Sequence, residues 1–142
     1  MTQRTYKSRN AFTLIELIAV IVVLAILSGV ALPKFFDYSA KAKISACKGA
    51  IGGVRAGIAN FYANAAISGN AAYPTYSQIT TSGVVMEEAI PENPYNGSNA
   101  IRNADGTWDV SNPPVSGNEG WAYDATNGKF WANSDVVNEN EF

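Results

Sequence analysis

The sequence predicts an α+β fold: a long N-terminal helix, membrane-spanning in its first half and amphipathic in its second, packed on a small antiparallel β-sheet. Three observations predict it. Residues 12–32 form an almost unbroken apolar run. From Ile44 to Ala65, apolar residues recur in alternating steps of three and four, the pattern of one helix face. From Ile101 onward, short aromatic runs alternate with Asp-Gly and Asn-Gly turns, which read as hairpins. The expected organisation is a leader at 1–11, a spanning helix at 12–32, an amphipathic helix at 33–65 and an extracytoplasmic head at 66–142.

Composition narrows the function classes. The 142 residues suit one compact domain with an appendage. Histidine is absent, which removes the usual general base at neutral pH and rules out His-dependent nucleophiles. Cys47 is the single cysteine, so no intrachain disulfide or cysteine-based zinc cluster forms in this sequence. The reading is a structural or binding protein, not an enzyme.

Residues 1–11 carry Arg4, Lys7 and Arg9 and no acid. Basic residues on this side predict an N-terminus in the cytoplasm and a head outside it. The following run, FTLIELIAVIVVLAILSGVAL, is about 31 Å long as a helix, the thickness of a hydrocarbon core. A lone segment in lipid satisfies its backbone only as a helix. A cleavable secretory signal is the competing reading, with Gly29-Val30-Ala31 offering small residues for cleavage before Leu32. The run is longer than the usual apolar region of such signals, about 7–15 residues, and contains an acid near its start.

That acid, Glu16, is the informative residue. A carboxylate at bilayer depth costs about 2.5–3.5 kcal/mol. No base lies between Phe12 and Pro33. Its partner therefore comes from another chain or from a new terminus; the alternative is an interfacial side chain that reaches water or stays protonated.

The segment Ala11-Phe12-Thr13-Leu14-Ile15-Glu16-Leu17, with the basic leader before it and Pro33 after the apolar run, resembles the cleavage and methylation signal of type IV prepilins and type II secretion pseudopilins. The resemblance covers residues 4–33 closely and extends loosely to about residue 65. It implies that a prepilin peptidase cuts between Ala11 and Phe12 and methylates the new Phe12 amine. It implies that Glu16 pairs with the terminal amine of a neighbouring subunit during assembly. Ala11 stands where the family usually has glycine. The implied partners are copies of the chain itself, related minor pilins, the peptidase and an inner-membrane assembly platform. The implied place is the bacterial inner membrane, single-pass, with the head periplasmic and the subunit later extracted into a filament.

Beyond Pro33, expected to break or loosen the helix, the apolar stripe runs Ile44, Cys47, Ile51, Val54, Ile58, Phe61 and Ala65. It is read as the face under the head's sheet, with Cys47 a core residue. A small-residue stripe, Ala42, Ala46, Gly49, Gly53 and Gly57, lies roughly opposite and suits close helix packing. A third lane is basic: Lys34, Lys41, Lys48 and Arg55, seven residues apart. From 33 to 65, five bases against one acid leave +4; from 66 to 142, two bases against ten acids leave −8. The lane is a candidate for steering one subunit onto the acidic head surface of the next.

In the head, residues 66–100 read as a long connection with an ordered piece near Val84–Ala89 and a turn-rich stretch at 90–97. Ile101–Asn103 and Thr107–Val110 flank Ala104-Asp105-Gly106 as a first hairpin. Gly120–Tyr123 and Lys129–Ala132 flank Asp124–Gly128 as a second. Trp108, Trp121, Tyr123 and Trp131 are expected to form core against the helix. Asp109, Glu119, Asp124 and Asp135, with backbone oxygens of the 111–119 loop, are the candidate calcium ligands, since Ca²⁺ takes six to eight oxygens; compact EF-type spacing is absent.

The first functional reading is a pseudopilin building a periplasmic filament for protein secretion. The alternatives are a pilus subunit for adhesion, motility or DNA uptake, and a singly anchored binding domain that never polymerises. The single cysteine favours the secretion type, since many pilus subunits carry a disulfide-bounded loop. Without residues 1–11, seven bases face twelve acids, so nucleic acid is not an expected partner.

Overall fold

The computed structural model describes residues 11–104, 106, 108, 109, 111–134, 136 and 138–142. The first helix, α1, runs Leu14–Ile67 without interruption. Pro33 lies inside it and does not break it, contrary to expectation. A proline removes one backbone donor and its bond, and the turns on either side carry the helix on. The chain divides into two units, one up to Ala40 and one from Lys41 onward.

The described residues of the first unit enclose no interior. Every described residue from 11 to 40 is exposed, including Leu17, Ile21, Leu24 and Leu27. The helix holds one stretch long and apolar enough to cross a membrane. The run 12–32, apolar on every side but for Glu16 and a few small polar residues, is stable only in lipid or against other protein.

The second unit has a core. Its α1 face buries Cys47, Ile51, Val54 and Ile58, the centre of the expected stripe; Ile44 is exposed, and Phe61 and Ala65 are only partly covered. Fully burying an aliphatic side chain of this size stabilises by about 1.5–3 kcal/mol. The covering layer is a three-stranded sheet: β1 (Ile101–Asn103), β2 (Trp121–Asp124) and β3 (Lys129–Ala132), in that order. Side chains alternate across a strand. Trp121, Tyr123, Phe130 and Ala132 therefore face the helix together with Ile79, Ile90 and Ile101. Ala122 and Trp131 face away, under Ala104 and Trp108. Two of the four expected aromatics pack towards the helix, and Trp108 and Trp131 form a second cluster on the outer face.

The second hairpin stands as expected: β2 and β3 pair antiparallel, Tyr123 opposite Phe130 and Asp124 opposite Lys129. Gly128 at the turn has φ +69°, and an added Cβ would sit 2.3 Å from the Tyr73 ring. The first hairpin is corrected. β1 pairs with β2 in parallel, Ile101 beside Trp121 and Asn103 beside Tyr123, so the sheet is mixed, not antiparallel. Of the expected return strand 107–110, Trp108 and Asp109 are not extended ladder residues, while Thr107 and Val110 lie outside the described residues. Parallel neighbours need a crossover of about a dozen residues or more, and 104–120 supplies it. That connection covers the outer face: Trp131 Nε1 donates to Pro114 O at 3.1 Å, and Ser116 N donates to Asn133 Oδ1 at 2.8 Å.

In 66–100, Val84–Glu88 forms turns and bends. The ordered piece is a short helix, α2 (Tyr76–Thr80), opened by a capping box between Thr75 and Gln78. The 90–97 stretch turns as expected about a buried Asn93, whose Nδ2 donates to Gly120 O at 2.8 Å. An added Cβ at Gly120 would lie 1.9 Å from Ser98 O, which is why only glycine fits there. A final 3₁₀ turn, Glu139–Glu141, returns the chain to β3.

Candidate functional site

At the start of α1, Glu16 is bonded to Thr13, the residue after Phe12. Thr13 N–H and Thr13 Oγ1 both donate to Glu16 Oε2 at 2.8 Å. Glu16 N–H donates back to Thr13 Oγ1 at 3.3 Å. Leu17 N–H makes the first i→i−4 bond, to Thr13 O at 3.2 Å. This is a capping box: two donors at a helix start, where intrahelical partners run out, are satisfied reciprocally. The sequence reading sought a partner for Glu16 outside the helix and passed over Thr13, although Thr-x-x-Glu is the local signal for it. Phe12, 91% exposed, precedes the box directly. With Glu16, Leu17, Ala19 and Val20 it lines an open groove of about 610 Å³. The carboxylate therefore bonds the residue that follows Phe12, and it is the one charged side chain of the run 12–32.

The basic lane divides. Lys34 and Lys41 are exposed. Lys48 Nζ stands 4.8 Å from the centre of the Phe142 ring, within cation–π range. Arg55 reaches into the head, donating from Nε to Phe130 O at 3.0 Å and from Nη2 to Phe142 O at 2.8 Å. Partial burial pulls its pKa below the usual arginine value. Arg55 thus occupies an outward carbonyl of β3, an edge strand, and ties the last described residue to α1. Heptad spacing showed the alignment of the lane but not that backbone lies beneath its upper end.

The candidate calcium ligands are engaged with protein donors. Asp124 Oδ1 accepts from Thr126 N–H and Oγ1 at 2.8 and 2.6 Å; its Oδ2 accepts from Trp108 Nε1 and Asn127 Nδ2, both at 3.0 Å. Asp109 accepts from Ser111, and those bonds hold its carboxyl below the usual range. Glu119 Oε2 accepts from Ser116 Oγ at 2.8 Å and Asn133 Nδ2 at 3.1 Å. Asp135 lies outside the described residues. Among the described residues, no three carboxylate, cysteine or histidine side chains are grouped to hold a metal ion.

Cys47 is fully buried. Burial, and then the charge of Glu139, push its thiol up to about 11. A thiol this weakly acidic is not a nucleophile at neutral pH, which fits its place in the core.

Residues 6–32 match a family model described as the prokaryotic N-terminal methylation motif. Over 87 residues, 60% of this chain, the sequence is 33% identical to the type IV major pilin protein PilE of Neisseria gonorrhoeae. The chain is similar to type IV pilins. Over 56 residues, 39% of the pilin-like chain, it is 36% identical to the fimbrial protein EcpC of Eikenella corrodens. The alignments span 52% of PilE and 37% of EcpC, about half or less of those relatives. No solved structure matches the pilin-like chain. The motif takes in Phe12, Thr13 and Glu16, the residues of the capped helix start.

Proposed function

We propose that this pilin-like chain is the structural subunit of a type IV pilus-like filament, with residues 12–32 held first in the inner membrane and later in the filament interior. In this reading a prepilin peptidase cuts between Ala11 and Phe12 and methylates the Phe12 amine. An inner-membrane platform then adds copies of the chain, with minor pilins, to a filament whose heads face the periplasm. The observation that carries it is the one carboxylate of the exposed apolar run 12–32, Glu16, held by Thr13, the residue after the one whose nitrogen cleavage would free. A new ammonium on an adjacent copy supplies the opposite charge, and a pair in lipid is costly to leave half made. The test is the N-terminus of the protein extracted from membranes. A chain starting at N-methylated Phe12 is the expected result; a chain starting at Leu32 overturns the reading.

Two filaments fit this subunit. The first is a pseudopilus for protein secretion, favoured by the one cysteine in the sequence. The second is a surface pilus, favoured by the names of the relatives, a major pilin and a fimbrial protein. Deleting the gene separates them. Loss of exported proteins from the medium with surface fibres intact supports the pseudopilus. Loss of surface fibres with export intact supports the pilus.

A further inference from the structure

The head unit carries opposite charge on its two flanks. Lys41, Lys48 and Arg55 drift by about 20° per heptad, so they lie within about 40° of one another on α1. Arg55 marks what that flank faces: the outer edge of β3 and Phe142. Gly57 comes two residues later, about 200° round the helix. An added Cβ there would meet Val85 O at 2.6 Å and Met86 Sδ at 3.0 Å, so the 85–86 segment passes along the other flank. Glu87 and Glu88 follow it directly, with Glu92 beyond, and all three are exposed. Other charges do not cancel this split. Glu141 shares the basic flank, lining a groove with Lys48 and Arg55, and leaves three bases against one acid. Lys129 and Asp109, which interact there, add one charge of each sign. Lys43, two residues from Lys41 and turned towards Tyr95, shares the acidic flank, and Arg102 follows Ile101, which lines a groove with Glu88, so three acids there face two bases.

We infer that the Lys41–Lys48 flank is a docking face for the Glu87–Glu88 flank of a second copy of this chain, a side-by-side contact in which each subunit presents one face to each neighbour. This rests on the filament reading and supplies its lateral contact. A copy turned to match the same flank would set like charges against each other. A copy advanced in the same orientation sets lysines against glutamates. Such heterologous contacts do not close on a pair; they propagate into a ring or a helical array. Lys41 and Lys48 remain exposed on this flank, and charge complementarity favours this occupant over an uncharged partner.

The test is filament yield from cells producing the full chain in four forms: unmodified, Lys41→Glu/Lys48→Glu, Glu87→Lys/Glu88→Lys, and all four changes together. The level of membrane-inserted protein and the protease resistance of its head serve as the folding control. Each one-sided reversal is expected to lower yield about tenfold through several weak exposed pairs acting together. The fourfold form is expected to recover most of it, because the pairing is restored with signs exchanged. Both reversals polymerising like the unmodified chain overturn the contact, and so does a fourfold form as poor as the worse reversal. Unmodified chains that do not polymerise sink the filament reading itself, and this contact with it.

Discussion

Glu16→Gln is expected to leave α1 and its membrane insertion intact while stopping polymerisation, and Glu16→Ala is expected to do so with additional loosening of the helix start. The two variants separate roles that share one side chain. As a cap, Glu16 accepts from Thr13 N–H and Oγ1; glutamine at this position serves a capping box equally well, whereas alanine removes a contribution of about 1 kcal/mol. As the proposed charge partner, Glu16 would offer a carboxylate to a neighbour's amine, which neither replacement does. An unmatched charge at bilayer depth costs about 2.5–3.5 kcal/mol, which is about 100-fold in an association constant. Assembly is therefore expected to fall about 100-fold for both variants, read as sheared filament per membrane-inserted subunit. Helix content of the detergent-extracted protein is expected to fall for the alanine form alone. Normal filament yield from Glu16→Gln would falsify the charge-pairing role and reduce Glu16 to a cap.

The parts of this molecule legible in its sequence are those whose signal is local and periodic. The apolar run 12–32 and the stripe Cys47, Ile51, Val54, Ile58 are readable because helix geometry alone puts such residues on a common surface. The β2–β3 hairpin is readable because Asn127-Gly128 supplies a residue free to take φ +69° at the turn. The Ala104-Asp105-Gly106 signal misleads for the complementary reason. A local turn says nothing about which distant strand offers the ladder, and Ile101–Asn103 pairs with a segment near residue 121. Trp131 was assigned to the helix side by its size, although strand alternation between Phe130 and Ala132 already placed it on the other face. The five-residue α2 is too short for periodicity to show, and its trace in sequence is the Thr75–Gln78 box. At the candidate site, Glu16 was legible from its cost in lipid, and Thr13 from spacing alone. The capture of Arg55 by two head carbonyls depends on tertiary approach and left no sequence signal.

Trp121→Ala is expected to be among the most damaging changes in the head, lowering its stability by about 3–5 kcal/mol while leaving the apolar half of α1 untouched. Trp121 is fully buried, stacked on Phe130 with ring centres 5.5 Å apart. It belongs to the cluster that joins the sheet to Cys47, Ile51, Val54 and Ile58. Its Nε1 donates to Pro91 O at 2.8 Å, so truncation also strands a carbonyl that folding had taken from water. Small domains are stable by about 5–15 kcal/mol, so a loss of this size brings the head near its unfolding midpoint. The checking measurement is thermal unfolding of the full chain in detergent, followed by tryptophan fluorescence and by protease sensitivity beyond residue 67. Trp108→Phe is the control. Trp108 is partly exposed, on the outer face, and its indole bond goes to Asp124. Keeping the ring and losing that bond is expected to cost about 1 kcal/mol. A Trp121→Ala loss no larger than that would mean the sheet and α1 do not share one core. A loss of the full size, with residues 12–32 still inserted, would show a head that unfolds separately from its anchor. Polymerisation would then fail for want of a head face, with Glu16 still in place.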